Sequence, residues 1–201
     1  MAKLYFRYGA MNSGKSTALM QVAHNYEEQG MRVLILKPKV DTKGSGDLVS
    51  RLGVRRPADL LVPPDMDLVE AVRAASSEGR PLACVLCDES QFLTAEQAEQ
   101  LFMVTVELNI PVICYGLRAD FKGDLFPGSY HLLVLADKLE EVKTICWCGK
   151  KAAFNARFDE NGHVVKEGAQ VVLGANDKYI GLCRRHWMAG DLGPDFDIHK
   201  I

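Results

Sequence analysis

No stretch of this sequence is apolar for long enough to cross a bilayer, and Met1-Ala-Lys3 does not open the basic-then-apolar pattern of a secretory leader. The expectation is a protein that stays in the cytoplasm and has no membrane partner. Charge of one sign is also missing. Twenty-four Lys and Arg against twenty-six Asp and Glu leave a net charge of -2, so there is no general basic field to hold a nucleic-acid polymer. Aromatic residues make up only 8% and are not interleaved with basic ones, which excludes a stacking platform for single strands. No internal repeat or low-complexity tract occurs. What is present is 201 residues, 48% of them hydrophobic, enough for one domain with a substantial core and a small appendage.

Within that frame one octapeptide stands out. Gly9-Ala10-Met11-Asn12-Ser13-Gly14-Lys15-Ser16 fills every fixed position of the phosphate-binding pattern G-x-x-x-x-G-K-S. Such a loop must be delivered by a strand and followed by a helix. Lys3–Tyr8 alternates as a strand does, and Ser16–His24 has Leu19, Met20 and Ala23 at helical spacing. Backbone N–H groups there would wrap a β-phosphate at a helix N-terminus, Lys15 would neutralise β/γ charge, and the Ser16 hydroxyl would ligate magnesium. A second element is needed for that metal. The apolar run Ala83–Cys87 ends in Asp88-Glu89, the layout of a buried parallel strand opening at its carboxyl end. Asp88 would reach magnesium through water, and Glu89 could orient or deprotonate an attacking nucleophile.

Strand and helix patterns alternate to about residue 140: strand 32–37, helix 68–73, strand 82–87, helix 95–108 and strand 110–115. The fold class is therefore α/β, a P-loop (RecA-like) parallel sheet with helices on both faces, plus a small zinc-binding domain. Pro38 to Pro57 reads as a long polar loop, either a lid over the phosphates or an uninvolved surface loop. Cys84, Cys87 and Cys114 sit in apolar strands and read as core. The other cysteines differ. Cys146-Trp-Cys148 and Cys183-Arg-Arg-His186 supply three thiols and one imidazole, a closed structural zinc set in a reducing compartment. The expected division is 1–142 for nucleotide binding, 143–190 for a zinc-stapled segment covering the ligand, and 191–201 for a partly disordered tail. His24, His131, His163 and His199 lack ligand spacing. Arg118 and Asp120 could border the site or simply pair with each other.

These motifs, with Asp88-Glu-Ser-Gln-Phe92, Cys114-Tyr-Gly-Leu-Arg-Ala-Asp-Phe121 and Gly174-Ala-Asn-Asp-Lys-Tyr179, resemble the zinc-containing thymidine kinases of bacteria and animal cytosol over nearly the whole length. The resemblance implies an enzyme phosphorylating thymidine, and deoxyuridine as well, at the 5′-hydroxyl with Mg-ATP. It implies Glu89 as general base, with Lys15 catalytic. Gly9 to Ser16, Asp41, Asp88 and Gln91 are then assigned to ATP, although Lys43 stands where many relatives have Arg. Met11, Phe92, Leu117 and Phe121 border thymine, while Gln170, Val171, Val172, Leu173 and Gly174 read it largely through main-chain groups and Tyr179 ends the covering loop. A homotetramer and feedback inhibition by the end-product triphosphate are further expectations from the family. Two other classes stay open on residues alone: a nucleic-acid-binding ATPase with a zinc module, and a non-catalytic nucleotide-binding partner.

Overall fold

The computed structural model describes residues 1–40, 46–50, 52–171 and 178–198. Asp41, Lys43, Val172, Leu173, Gly174 and His199 lie outside them. Six strands form the central sheet: β1 (Leu4–Tyr8), β2 (Arg32–Pro38), β5 (Leu60–Val62), β6 (Leu82–Cys87), β7 (Val112–Gly116) and β8 (Lys138–Glu141). Their spatial order is β5-β2-β6-β7-β1-β8, and every neighbouring pair is parallel. The central strands are buried on both faces, hence the near-continuous apolar runs of β2, β6 and β7.

Helix α1 (Lys15–Glu28) covers one face, packing Leu19, Met20 and Ala23 on Val33, Ile35, Cys84, Leu86 and Tyr115. Helices α2 (Leu68–Ser77), α3 (Ala95–Glu107) and α4 (Pro127–Leu135) cover the other, where Leu68, Val72, Leu101, Val104 and Leu132 meet Leu4, Phe6, Val85 and Cys114. Local chemistry sets their starts. Asp67 accepts the Glu70 N–H at α2, and Thr94 and Gln97 form a reciprocal capping box at α3, an arrangement worth about 1 kcal/mol. Pro127 opens α4, where its missing N–H costs nothing.

The stretch 38–57, expected to be a loop, contains a hairpin of β3 (Asp47–Val49) and β4 (Arg55–Pro57). Leu48 is fully buried and Ser50 shares a 2.9 Å hydroxyl contact with Thr17 on α1. Three-residue strands carry too little alternation to be seen as a pattern. A second group of elements follows the sheet: the pair β9 (Thr144–Ile145) and β10 (Lys151–Ala152), then β11 (Phe154–Phe158) flanked by β12 (Val164–Val165) and β13 (Tyr179–Leu182), then α5 (Arg184–Ala189). Its core is Cys146, Ala152, Ala156, Phe158, Leu182, Cys183 and Leu192. The tail, expected to be partly disordered, packs as far as Ile198, with Phe196 edge-on to Phe158 at 4.9 Å. Among the described residues no helix is long and apolar enough to cross a membrane.

Candidate functional site

Because β1, β6 and β7 run parallel and adjacent, their carboxyl ends bring three connections together: 9–14, 88–92 and 117–126. Gly14 caps α1 with φ +84°, a left-handed conformation that a side chain strains, and open space surrounds it where a Cβ would project. Lys15 is 8% exposed and folds back over the loop, its Nζ donating to the Ala10 carbonyl at 2.8 Å. Burial lowers its pKa, opposed by the charges of Glu89 and Asp88. A cation buried here is suited to an anion of high charge.

Ser16 Oγ donates to Asp88 Oδ2 at 2.9 Å. Burial, reinforced by neighbouring Glu89, pushes the Asp88 carboxyl up to about 6. A hydroxyl oxygen beside a carboxylate that resists holding its charge unaided is a pair of hard donors that fits a divalent cation such as magnesium. Glu89 has φ +49° and ψ 36°, a left-handed backbone that costs a non-glycine residue roughly 1–2 kcal/mol. The turn Ser90–Phe92 that follows locks this geometry. Gly128 at the start of α4 lies so close to the Ser90 carbonyl that a Cβ there would come within 2.6 Å of it. Gln91, assigned to ATP by the family resemblance, is 1% exposed; its amide donates to the Glu89 carboxylate and accepts the Leu117 N–H at 2.9 Å.

Next to that turn, Phe92 meets Phe126 edge-on at 5.8 Å, Leu117 begins the connection after β7, and Phe121 is 2% exposed. Asp120 accepts the N–H groups of Lys122 and Asp124 and lies 4.0 Å from the Lys122 ammonium. Arg118 stacks on Tyr8 at 6.0 Å, so the alternative of an Arg118–Asp120 pair is not realised. Gln170 reaches the Leu125 carbonyl at 3.4 Å, Val171 is partly exposed, and Tyr179 begins β13.

One residue that the sequence did not single out joins these parts. Asn155 on β11, 4% exposed, accepts the Met11 N–H at 2.8 Å and donates to the Ala119 carbonyl at 3.1 Å. Its amide orientation follows from that pairing, since the reverse would set donor on donor and acceptor on acceptor. The Trp187 indole N–H is shared between the Asn155 and Phe121 carbonyls at 3.0 and 3.1 Å. A lone Asn in Phe-Asn-Ala-Arg-Phe carries no pattern that would have identified it.

The turn between β9 and β10 and the start of α5 bring the ligand atoms of Cys146, Cys148, Cys183 and His186 within 4.8 Å of one another. Cys148 and Cys183 sulfurs are 3.9 Å apart, and His186 Nδ1 lies 3.3 and 3.6 Å from Cys146 and Cys183. Tetrahedral zinc with ordinary bond lengths requires about 3.8 Å between sulfurs and about 3.6 Å from sulfur to nitrogen. The four residues fit zinc with no position left open. His186 N–H, at the first turn of α5, helps hold the Cys183 thiol below its usual range, and Trp147 stacks on the imidazole at 4.2 Å.

The family model described as Thymidine kinase matches residues 2–187. Among similar proteins, the thymidine kinase of Ruegeria pomeroyi is 49% identical over 196 residues, covering 96% of this chain and 98% of its own length. That of Legionella pneumophila (strain Lens) is 48% identical over 202 residues, 100% of this chain and 96% of the relative. That of Salmonella typhimurium is 50% identical over 188 residues, 93% of this chain and 91% of the relative. With a phosphate loop, a paired acidic turn and a Cys3His cluster in one chain, these likenesses agree with the geometry: the chain belongs to the thymidine kinase family.

Proposed function

We propose that the chain transfers the γ-phosphoryl group of ATP to the 5′-hydroxyl of thymidine, giving dTMP and ADP in nucleotide salvage, and that it accepts deoxyuridine. The observation that carries this reading is Lys15, Ser16 and Asp88 clustered at the carboxyl ends of β1 and β6, with Glu89 held on a strained turn beside them. Gly9 to Ser16 cradle the phosphates, with Asp41 close by. Ser16 and Asp88 hold magnesium, which when bound neutralises charge on the transferring group. Lys15 does the same from the other side.

Glu89 orients the 5′-hydroxyl and takes its proton late, because phosphoryl transfer passes through a loose transition state and positioning supplies most of the acceleration. Gln91, counted with the ATP set, also keeps the Glu89 carboxylate aimed through the hydrogen bond between their side chains. Met11, Phe92, Leu117 and Phe121 wall the base, and residues 170–174 with Tyr179 close over it. Burying the 5-methyl group is worth about 0.8 kcal/mol, so only a few-fold preference over deoxyuridine is expected. Cytosine is excluded by unpaired polar groups at roughly 1–3 kcal/mol.

The zinc set is structural, the parts divide at 1–142, 143–190 and 191–201, and the enzyme works in the cytoplasm as a homotetramer without binding nucleic-acid polymers. ADP release from Mg-ATP, measured with thymidine or with single-stranded DNA, tests the assignment. Stimulation by thymidine alone supports it, and stimulation by DNA alone overturns it.

A further inference from the structure

We propose that Trp187 is a positioning residue for the nucleoside: its indole sets where the turn carrying Phe121 sits relative to the strand that holds Met11. Trp187 lies on α5 and packs against the core of the small group of elements that follows the sheet, its backbone N–H donating to the Cys183 carbonyl at 2.9 Å. The indole stacks on Phe154 of β11, with 4.8 Å between ring centroids and 21° between planes. In that orientation its ring N–H is shared between the Phe121 carbonyl at 3.1 Å and the Asn155 carbonyl at 3.0 Å. One donor therefore pins the connection after β7 to a strand of the small sheet.

The turn is braced from within. Asp120 Oδ1 accepts the N–H groups of Lys122 and Asp124, and the Gly123 N–H donates to the Asp120 carbonyl at 3.3 Å. These bonds fix the shape of the turn and leave its position to be set from outside. Gly123, at φ +96°, lies against the edge of the indole, where a Cβ would sit 3.6 Å from Trp187 Cη2. The Phe121 carbonyl and Gly123 thus meet the same side chain. From β11 the linkage continues, because the Asn155 amide accepts the Met11 N–H at 2.8 Å. Met11 and Phe121, which reach the site from the ends of different strands, are in this way referred to one mount. An indole suits that task, having a flat apolar body to stack and a single N–H donor with no acceptor to repel the carbonyls. Holding both walls in place before ligand arrives reduces the ordering that has to accompany binding. This inference rests on the proposed placement of Met11 and Phe121 at the base.

The test is steady-state kinetics of the full-length protein, with thymidine varied at saturating Mg-ATP and ATP varied at saturating thymidine, alongside thermal denaturation. Trp187→Phe keeps a ring to stack on Phe154 and deletes the N–H. It is expected to raise the thymidine KM about fivefold, the worth of one hydrogen bond, with kcat and the ATP KM close to wild type. Trp187→Ala, which removes the ring as well, should raise the thymidine KM further. An unchanged thymidine KM in Trp187→Phe overturns the proposal whatever the melting temperature does, since a lower melting temperature alone marks a merely structural residue. A parallel rise in both KM values overturns it too. Phe121→Ala separates the layers: if it leaves the thymidine KM unchanged, the placement of the base is wrong and this inference falls with it, whereas an effect there without one in Trp187→Phe refutes only the role of Trp187.

Discussion

Replacing Asn155 with alanine removes the acceptor for the Met11 N–H and the donor for the Ala119 carbonyl in one step. Each group is left in a site from which Asn155, at 4% exposure, shows water to be largely excluded. An orphaned buried backbone group costs roughly 1–3 kcal/mol. Partial relaxation of two such groups puts the loss at about 2–4 kcal/mol. For a chain of this length about 2–4 °C of melting temperature accompany each kcal/mol, so the variant should melt about 4–16 °C lower by circular dichroism. Asn25→Ala, on the exposed face of α1 where Asn25 accepts from Gln21, is the control and should stay within about 0.5 kcal/mol of wild type. Asn155→Asp should not restore stability, because it keeps an acceptor for Met11 but sets a second acceptor against the Ala119 carbonyl. A melting temperature for Asn155→Ala indistinguishable from wild type would refute the view that this amide clamps the phosphate loop to the segment after β7.

Further outcomes follow from the same geometry. The Asp88 pKa, raised to about 6 from 3.8, means that the folded state binds more protons than the unfolded one between those values, so stability falls as pH rises through that window. In metal-free buffer at pH 7.5, Asp88→Asn should therefore be more stable than wild type, by on the order of 3 kcal/mol, while losing turnover. That gain should vanish below about pH 4, and a gain independent of pH would contradict the burial argument. Glu89→Gln should lower kcat about 100-fold or more with the ATP KM changed by only a few-fold, checked by initial rates. Zinc chelation under reducing conditions should lower the melting temperature and alter the fluorescence of Trp147, stacked on His186; full retention of both after verified metal removal would exclude a structural zinc.

The parts of the site legible in the sequence are those whose chemistry demands fixed residue types at short spacing. The phosphate loop, the Asp88-Glu89 turn and the cysteine pairs are of this kind, because backbone wrapping, metal ligation and thiol coordination leave little choice of residue. The parallel sheet was legible from the apolar runs of β2, β6 and β7, which lie buried on both faces. The hairpin of β3 and β4 was not, since three-residue strands offer no period. Asn155 was invisible for a different reason. It acts through main-chain atoms 144 and 36 residues away in sequence, and main-chain partners leave no residue-type signature. Gln91 shows the intermediate case: its neighbourhood was legible, but its amide turns toward Glu89 and Leu117, a direction set by the turn at Ser90–Phe92 and not by its identity.

The central claim is that the γ-phosphoryl group reaches the thymidine 5′-oxygen. Incubating the enzyme with magnesium, thymidine and ATP labelled with 18O in its γ-phosphoryl group, then locating the label by mass spectrometry and 31P NMR, tests it most directly. Labelled thymidine 5′-monophosphate is expected in amounts equal to the ADP formed. Label recovered as inorganic phosphate, or on the 3′-oxygen, would contradict it.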